Sequence, residues 1–515
     1  MKPRHTVLPF LIASTLAVNG CTGILGIDSD PQVVTQSVSS CQGTVYVRIA
    51  SDFSGTATDI AIPYFFGIYD YLRTLNDNGG LRGCKVDIQV GDNKYTPGDT
   101  EKVVQSWRAS DAHWKDVNTV FLFGTGPTTA VGPELEREKK LIIPGSYAGS
   151  LASPDPIDKS VTYTRVNDSF QEAQFNDAKT SSGWPYVFFP ATDYATAIRV
   201  AIKAAFSIQP GRMAFAHEVS NICAYCTDPL AAGASFIPSI TGMSLGRDLI
   251  IPQTSSEADT DTILRNTAAY FDAEIKHFIS ANTASWTYDP VSWVWSGNSV
   301  FASAILARGV SIAQNTIDAS PEVRKILEAN PTKKWKLRVM ANNWGIGETA
   351  SATCGPGCNN DLFYGLFPVP RYGDIQNATE MVQLIAVHDN YAAKDNALPP
   401  EAPITMVPRS TERRKPESFR DVRYVQGFAA AVLWEKAMNL ALDAGHRNPT
   451  GEDLKNALET FRLVDMGGLT AGPISFSPKD HRPQSNASIY KLDSSGQLAF
   501  VDKLSISLVN EWLGY

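Results

Sequence analysis

The feature that most constrains the fold is a regular alternation of short apolar runs with segments whose apolar residues recur at helical spacing. Between residues 44 and 145 the short runs are TVYVRIA, VDIQV, NTVFLFG and KLIIPG. Parallel strands need a crossover helix between them, so this alternation predicts an α/β unit with a doubly wound parallel sheet. The pattern restarts after residue 190 with RMAFAHE, VSWVWSGN and LRVMANN, which predicts a second unit of the same kind.

The helices expected between these strands have recognisable ends. The first begins near Ile60 and stops at Gly79 and Gly80, and the second opens at the proline of YTPGDT. A third section from Gly373 contains a long helix over 424–444, with Val425, Phe428, Val432 and Leu440 expected on one buried face. Residues 392–418 are rich in proline and charge and are expected to form a surface loop.

The first residues have the composition of a secretion signal. Lys2 and Arg4 precede an apolar run over 6–18, which is shorter than the about 20 residues of a membrane-spanning helix. Gly20 and Cys21 resemble a bacterial lipoprotein cleavage site, although Asn19 replaces the usual small residue. We therefore expect a lipoprotein-type signal over 1–20, lipidation of Cys21 and a tether over 21–41. Plain secretion is the alternative.

The charge balance argues against one class of partner. The formal net charge of −8 becomes −10 when Lys2 and Arg4 are removed with the signal, and no basic stripe is visible. Nucleic acid is therefore not an expected partner. The remaining chain is long enough for about two to three domains.

Six cysteines remain after Cys21, and an even number outside the cytoplasm favours disulfides. They are Cys41, Cys84, Cys223, Cys226, Cys354 and Cys358. The first two each precede a strand-like run, so neighbouring parallel strands would bring them within disulfide reach. The motifs CAYC and CGPGC fit either local disulfides or a four-thiolate zinc site, and the extracytoplasmic setting favours disulfides over metal.

Several longer stretches together resemble the leucine/isoleucine/valine-binding family of periplasmic receptors, the type I binding proteins of ABC transporters. They cover most of residues 42–510 and are DFSGTATDIAIPYFFGIYDYLRTLNDNGGLRGCKVDIQVGDNKYTPGDT, FLFGTGPTTAVGPELEREKKLIIPGS, YVQGFAAAVLWEKAMNLAL and GPISFSPKDHRPQSNASIYKL. Their order and spacing carry the resemblance, since each motif alone is weak.

The resemblance implies two α/β lobes joined by three crossovers. Lobe one would comprise 42–167 with 373–467, and lobe two 168–372 with 468–515. A small polar ligand, such as an amino acid, an amide or a related compound, would bind between the lobes and be delivered to an ABC permease. The protein would face the periplasm, and no cofactor is expected. A site between the lobes also agrees with a general rule for α/β folds, in which ligands bind where loops leave the carboxyl ends of parallel strands.

The resemblance also maps candidate ligand-binding residues. Thr128 matches the family's hydroxyl after the third strand, and Ser146, Tyr147 and Ala148 match its loop after the fourth. A hydroxyl at a helix start suits a carboxylate, which the helix dipole favours; a plain N-cap is the alternative for Thr128. In the second lobe the corresponding residues are Tyr225, Ser296 and Asn343.

Asn343 departs from the family, which has an acidic residue near this position to pair with the ligand's ammonium group. Burying an ammonium group without an anion is costly, so an ordinary α-amino acid is in doubt unless Glu218 or Glu348 substitutes. Trp295, Trp344 and Tyr147 suggest an aromatic pocket, or else the two tryptophans are core residues.

Two other classes of function remain as alternatives. A sensor of the same fold would bind ligand without transport. An enzyme would need a catalytic constellation, and none is visible: GTGPTT lacks the lysine of a phosphate loop. His217 and Glu218 could form an acid/base pair, although a hydrogen-bonded loop histidine is the simpler reading, and His481 is expected to be structural.

Overall fold

The first sheet is parallel throughout, as the alternation predicts. The computed structural model describes residues 40–157, 181–208, 210–219, 224–252, 260–296, 300–359, 361–397 and 414–509. The sheet contains β1 (Thr44–Ser51), β2 (Lys85–Asp92), β3 (Val117–Phe123) and β4 (Leu141–Gly145), in the order β2-β1-β3-β4. Every residue of β3 and β4 is buried, which explains their continuous apolar runs.

Three helices connect these strands: α1 (Thr58–Asp77), α2 (Pro97–Ser110) and α3 (Thr125–Arg137). The start of α2 follows from its sequence, because the Thr96 side chain accepts a hydrogen bond from the Asp99 N–H and Pro97 occupies the first turn. The alternation therefore predicted the elements of this unit correctly.

The second sheet is larger and mixed. Its strands are β5 (Arg212–Val219), β6 (Ser244–Leu245), β7 (Leu249–Pro252), β8 (Val291–Ser296), β9 (Arg338–Ala341), β10 (Phe363–Phe367), β11 (Asn486–Leu492) and β12 (Leu498–Ser505). Their order is β12-β11-β10-β9-β8-β5-β6, with β7 also paired to β5. The strands from β5 to β10 pair in parallel, and β11 and β12 form an antiparallel edge.

The helices that follow in the second unit lie between its strands. They are α4 (Tyr194–Ile208), α5 (Ala224–Phe236), α6 (Thr260–Ala281), α7 (Val300–Ala319), α8 (Pro321–Glu328) and α9 (Ala350–Cys354).

The third section returns to the first sheet. Its helices are α10 (Met381–Asn396), α11 (Val422–Asp443) and α12 (Gly451–Leu458). Helix α11 packs along α1, and α12 contacts β3 and β4. The chain then continues into β11 of the second sheet, so it passes between the two sheets three times, as the resemblance implied.

Two details of the third section differ from expectation. Residues 392–396 belong to α10 rather than to a surface loop, and Arg414, near the other end of the expected loop, is buried because it pairs with Asp70 and Asp395. Leu440 is 41% exposed, while Val425 and Phe428 are buried as predicted.

The Cys41–Cys84 disulfide is confirmed. The two Cα atoms are 5.5 Å apart, and the bond lies at the start of the paired strands β1 and β2. A second disulfide joins Cys354 and Cys358, so these two sulfurs are not available as zinc ligands. Cys223 and the Cys226 side chain lie outside the described residues, and their pairing remains a prediction. Among the described helices, none is long and apolar enough to cross a membrane.

Candidate functional site

The loop after β1 forms one side of the site and is shaped by a buried carboxylate. Asp52 accepts hydrogen bonds from the N–H groups of Ser54, Gly55 and Ala57, which fixes the turn that leads into α1. Burial raises the pKa of Asp52, and these N–H groups act against that rise. Both oxygens of this carboxylate are therefore committed to the loop.

The first turn of α3, directly after β3, places two threonine hydroxyls at the sheet edge beside the hydroxyl of Ser146, which follows β4. Gly124 caps α3 with φ of +104°, a conformation that favours glycine. The hydroxyls of Thr125 and Ser146 lie 2.6 Å apart and so link the ends of β3 and β4. Thr128 is fully buried, and its hydroxyl donates to the Gly124 carbonyl at 2.7 Å. Thr128 is not the N-cap, because Gly124 holds that position.

The loop after β4 carries three of the predicted ligand-binding residues, Ser146, Tyr147 and Ala148. Gly145 is required here, since a Cβ atom would lie 2.6 Å from the Phe123 ring and 3.0 Å from the Tyr64 ring. Ser146 and Tyr147 are buried, and the Ala148 N–H points to the Ser146 hydroxyl at 3.4 Å. The absent side chain at Gly145 thus lets two aromatic rings approach the strand end.

The second sheet supplies Asn343 and Trp344, which follow β9. Asn343 is 6% exposed, and its side-chain nitrogen has no hydrogen-bond partner among the described residues. Trp344 is 2% exposed, and its indole N–H donates to the Tyr194 hydroxyl at 2.7 Å. Trp344 is therefore buried, as the core interpretation of this tryptophan expects, and its place in a ligand pocket stays a prediction.

Trp344 lies at the centre of a group that we call the aromatic cluster: Tyr64, Phe123, Tyr147, Tyr194 and Trp344. Its indole stacks on the Tyr147 ring at 5.5 Å between centroids, with an interplanar angle of 21°. It also meets Phe123 at 5.7 Å and Tyr64 at 6.3 Å, both edge to face. The strand ends of the two sheets thus meet through aromatic faces.

Two hydroxyl groups in the aromatic cluster lack partners. The hydroxyls of Tyr64 and Tyr147 are buried and form no hydrogen bond with any residue that the structure describes. Burial raises the pKa of both phenols, and the nearby phenols of Tyr64 and Tyr194 add to the rise for Tyr147. The two hydroxyls therefore remain protonated, and each can donate a hydrogen bond.

Arg423, at the start of α11, fixes the backbone at Trp344 and two residues after it. Its guanidinium donates to the carbonyls of Trp344 and Ile346, both at 2.8 Å. Gly347 permits this approach, because a Cβ atom at this position would overlap the guanidinium. The position of the indole thus depends on a residue of the third section.

Glu348 joins the same loop to two other segments. One carboxylate oxygen accepts from the Tyr372 N–H at 2.8 Å and the other from the Val422 N–H at 2.9 Å. Burial raises the pKa of Glu348 to about 8, with Asp421 contributing to the rise. Both oxygens accept hydrogen bonds from backbone N–H groups. Glu348 therefore does not replace the acidic residue that the family has near the position of Asn343 to pair with a ligand's ammonium group.

The remaining predicted positions are described only in part. Tyr225 lies in the first turn of α5, Ser296 ends β8 opposite Ala341 of β9, and Trp295 precedes it in that strand. The side chains of these three residues lie outside the described part of the structure. Glu218 is buried near the end of β5.

The two histidines singled out in the sequence have structural partners. His217 lies within β5 rather than in a loop, and its Nε2 is 3.3 Å from an Asp248 oxygen. The Nδ1 of His481 lies 3.0 Å from the Val187 carbonyl, and its ring stacks on Phe188 at 3.9 Å. Hydrogen bonding and stacking account for His481, as expected.

The sequence did not single out Tyr64, Phe123, Tyr194 or Arg423 as site residues. Tyr64 is part of the helical apolar pattern of α1, which reads as core, and Phe123 is the last residue of a buried strand. Arg423 acts through backbone carbonyls that are distant in sequence, so no local pattern reveals it.

Comparison with known proteins finds similar structures but no match in sequence to a family model or a curated protein. No family model matches the chain, and no curated protein matches it in sequence. Solved structures match it closely in shape, however. An ABC transporter substrate-binding protein from Aeropyrum pernix is 22% identical over 91% of this chain and 98% of its own, with a TM-score of 0.64.

Two further solved structures carry ligands. A branched-chain amino acid ABC transporter protein from Thermus thermophilus with bound valine is 16% identical over 91% of this chain and 98% of its own, with a TM-score of 0.61. A solute-binding protein from R. palustris in complex with benzoate is 12% identical over 92% of this chain and 99% of its own, with a TM-score of 0.58.

The chain therefore has the two-lobed α/β fold of the type I periplasmic binding proteins. Within that class, the structural neighbours include substrate-binding proteins of ABC transporters for branched-chain amino acids, as the resemblance in the sequence indicated.

Proposed function

We propose that this protein captures a small solute between its two lobes and delivers it to an ABC permease, without chemical turnover. The observation that carries the proposal is the meeting of strand-end loops from both sheets at the aromatic cluster, where two buried hydroxyls have no partner. In this class of fold, a hinge motion that separates the lobes would expose these groups to solute.

The first-lobe side of the site would hold polar groups of the solute. Thr128 lies in the first turn of α3, and Ser146, Tyr147 and Ala148 lie on the loop after β4. Asn343 would contribute an amide from the second lobe, together with Ser296 and Tyr225. Helix α3 begins at this edge, and its dipole favours a negative group on the solute.

The lipid anchor, the location and the partner are part of the same proposal. Lipidation at Cys21 would tether the protein to a membrane surface, with both lobes facing the periplasm. Replacing Cys21 with Ser should release the protein from the membrane fraction and abolish acyl labelling. An unchanged fractionation would contradict the anchor and leave the binding proposal intact.

The binding proposal is tested first by native mass spectrometry of protein that has never been unfolded, which should show a copurified small molecule. Calorimetry with that molecule should then show about tenfold to hundredfold weaker binding for Asn343→Ala and for Thr128→Ala, because each change removes a hydrogen-bonding group from the site.

Thr129→Ala is the matched control, since the neighbouring hydroxyl is exposed and bonds only to Gly126. Wild-type affinity in both site variants would mean that the solute binds elsewhere. Turnover of the solute that is lost in Asn343→Ala would make the protein an enzyme instead.

A further inference from the structure

We infer that the solute is an aromatic carboxylate that carries no ammonium group. This inference rests on the proposed function and specifies the ligand of the same site. Three observations carry it: hydrogen-bond donors without partners, an aromatic face that can receive a planar ring, and the commitment of neighbouring acidic groups to other partners.

The donors are the buried hydroxyls of Tyr64 and Tyr147. A buried hydroxyl without a partner destabilises the protein, so the fold alone does not explain why two of them lie in one cluster. Both phenols stay protonated, because burial raises their pKa values. They therefore offer two O–H donors, which suit the two oxygens of a carboxylate.

The charge of such a carboxylate would also be balanced at this edge. Helix α3 starts directly after β3, and the positive end of its dipole faces an anion bound there. The linked hydroxyls of Thr125 and Ser146 lie at the same strand ends and can reorient toward a ligand. The edge thus provides dipoles and hydroxyl donors for a negative group.

The aromatic face is provided by Trp344 and Tyr147, whose rings are nearly parallel, with centroids 5.5 Å apart. Trp344 belongs to the loop after β9 and Tyr147 to the loop after β4, so separation of the lobes would part the two rings. A planar aromatic solute could then stack on either of them, an arrangement that aromatic pairs favour.

Two acidic groups near the cluster have both oxygens in hydrogen bonds with backbone N–H groups. Both oxygens of Glu348 accept backbone hydrogen bonds, and Asp52 accepts three. Asp193 precedes Tyr194 and is fully buried, and one of its oxygens accepts from the Thr196 N–H at 2.8 Å. Burial raises the pKa of Asp193, and the charges of Arg482 and Arg199 act against that rise. None of these three groups is placed to neutralise an ammonium group, and Asn343 carries no charge.

A matched pair of probes isolates the ammonium group. The ligands 3-phenylpropanoate and L-phenylalanine share a carbon skeleton, and only the second carries an ammonium group. We expect 3-phenylpropanoate to bind about a hundredfold more tightly by calorimetry, because burying an unpaired cation is costly. A third probe, 3-cyclohexylpropanoate, lacks the planar ring and should bind about tenfold more weakly than 3-phenylpropanoate.

The donors are tested by Tyr64→Phe and Tyr147→Phe, each of which should weaken 3-phenylpropanoate binding by about tenfold to hundredfold. Tyr391→Phe is the control, since that hydroxyl donates to Asp77 near the far end of α1. Equal or tighter binding of L-phenylalanine, or unchanged binding in both site variants, would overturn the inferred class of ligand.

The outcomes also separate the two proposals. If L-phenylalanine binds and 3-phenylpropanoate does not, the proposed solute-binding function stands and the ligand class is wrong. If neither probe binds at millimolar concentration, the ligand class is overturned, and the copurified molecule then decides whether the protein binds a solute at all.

Discussion

Two buried clusters include residues of helix α1, and they differ in whether their polar groups have hydrogen-bond partners. One is the aromatic cluster at Tyr64. The other, which we call the ionic cluster, consists of Asp70, Arg73, Asp395, Arg414 and Tyr424. In the ionic cluster Arg414 donates to both oxygens of Asp70, at 3.1 and 2.7 Å, and Tyr424 adds a third hydrogen bond at 3.0 Å.

From this difference we assign the ionic cluster a role in stability and propose a role in binding for the aromatic cluster. In the ionic cluster, Asp395 bridges Arg414 at 3.2 Å and Arg73 at 3.0 Å, so each buried carboxylate meets two cations. In the aromatic cluster two hydroxyls lack any partner. The ionic cluster holds α1, α10 and the segment before α11 together, whereas under the proposed function the hydroxyls of the aromatic cluster would bind a solute.

The largest expected effect comes from breaking the ionic cluster. Arg414→Ala should lower the free energy of unfolding by about 3–5 kcal/mol, because it leaves two buried carboxylates short of a counter-charge. Urea unfolding measures this loss. Lys139→Ala is the control: Lys139 pairs with Glu452 at the surface, where solvent screens the charges, so its removal should change the free energy of unfolding far less. Similar losses in both variants would contradict the assigned role of the ionic cluster.

A smaller loss is expected when only the hydroxyl of the ionic cluster is removed. Tyr424→Phe should lower the free energy of unfolding by about 1.5–3 kcal/mol, since the hydroxyl donates to a buried carboxylate. Binding of solute should be unchanged, as Tyr424 lies outside the aromatic cluster. Weaker binding without a loss of stability would show that the two clusters are not separate in role.

Glu348 should make stability depend on pH. Its pKa is about 8 in the folded protein, above the ordinary value of 4.5, so its contribution is complete below about pH 4.5 and is lost as pH rises through 8. Between pH 5 and 8 the wild type should lose on the order of 1–3 kcal/mol relative to Glu348→Gln. If the free energy of unfolding changed with pH in the same way for the wild type and Glu348→Gln, the raised pKa of Glu348 would be contradicted.

The smallest change in stability is expected for Tyr147→Phe. It removes a buried hydroxyl that has no partner, so the free energy of unfolding should stay within about 0.5 kcal/mol or rise. The matched comparison with Tyr424→Phe is the sharpest test of the contrast, because the chemical change is the same. A loss of stability as large as that of Tyr424→Phe would mean that the Tyr147 hydroxyl has a partner within the protein.

Most of the fold followed from local patterns, and the exceptions have physical causes. The parallel strands β1 to β4 were predicted because short apolar runs alternate with helical segments, and β3 and β4 are buried throughout. The antiparallel edge of β11 and β12 was not distinguished, since strand direction depends on pairing that local sequence does not encode. Residues 392–396 were misassigned because their polarity indicated a loop, although Asp395 is buried by ion pairing.

Only those residues of the candidate site that directly follow a strand could be predicted from the sequence. Ser146, Tyr147 and Trp344 do lie at the carboxyl ends of predicted strands. The contribution of Tyr64 was hidden, because a tyrosine at a buried helical position looks the same whether its hydroxyl is needed or not. Arg423 and Glu348 support Trp344 through backbone groups, and such contacts appear only in three dimensions.

A crystal structure of the protein with its copurified solute tests the central claim most directly. The account predicts solute between the loops after β3 and β4 and the loop of Trp344, with a polar atom within hydrogen-bond distance of the Tyr64 or Tyr147 hydroxyl. A solute bound outside the aromatic cluster, with both hydroxyls still unpartnered, would contradict it.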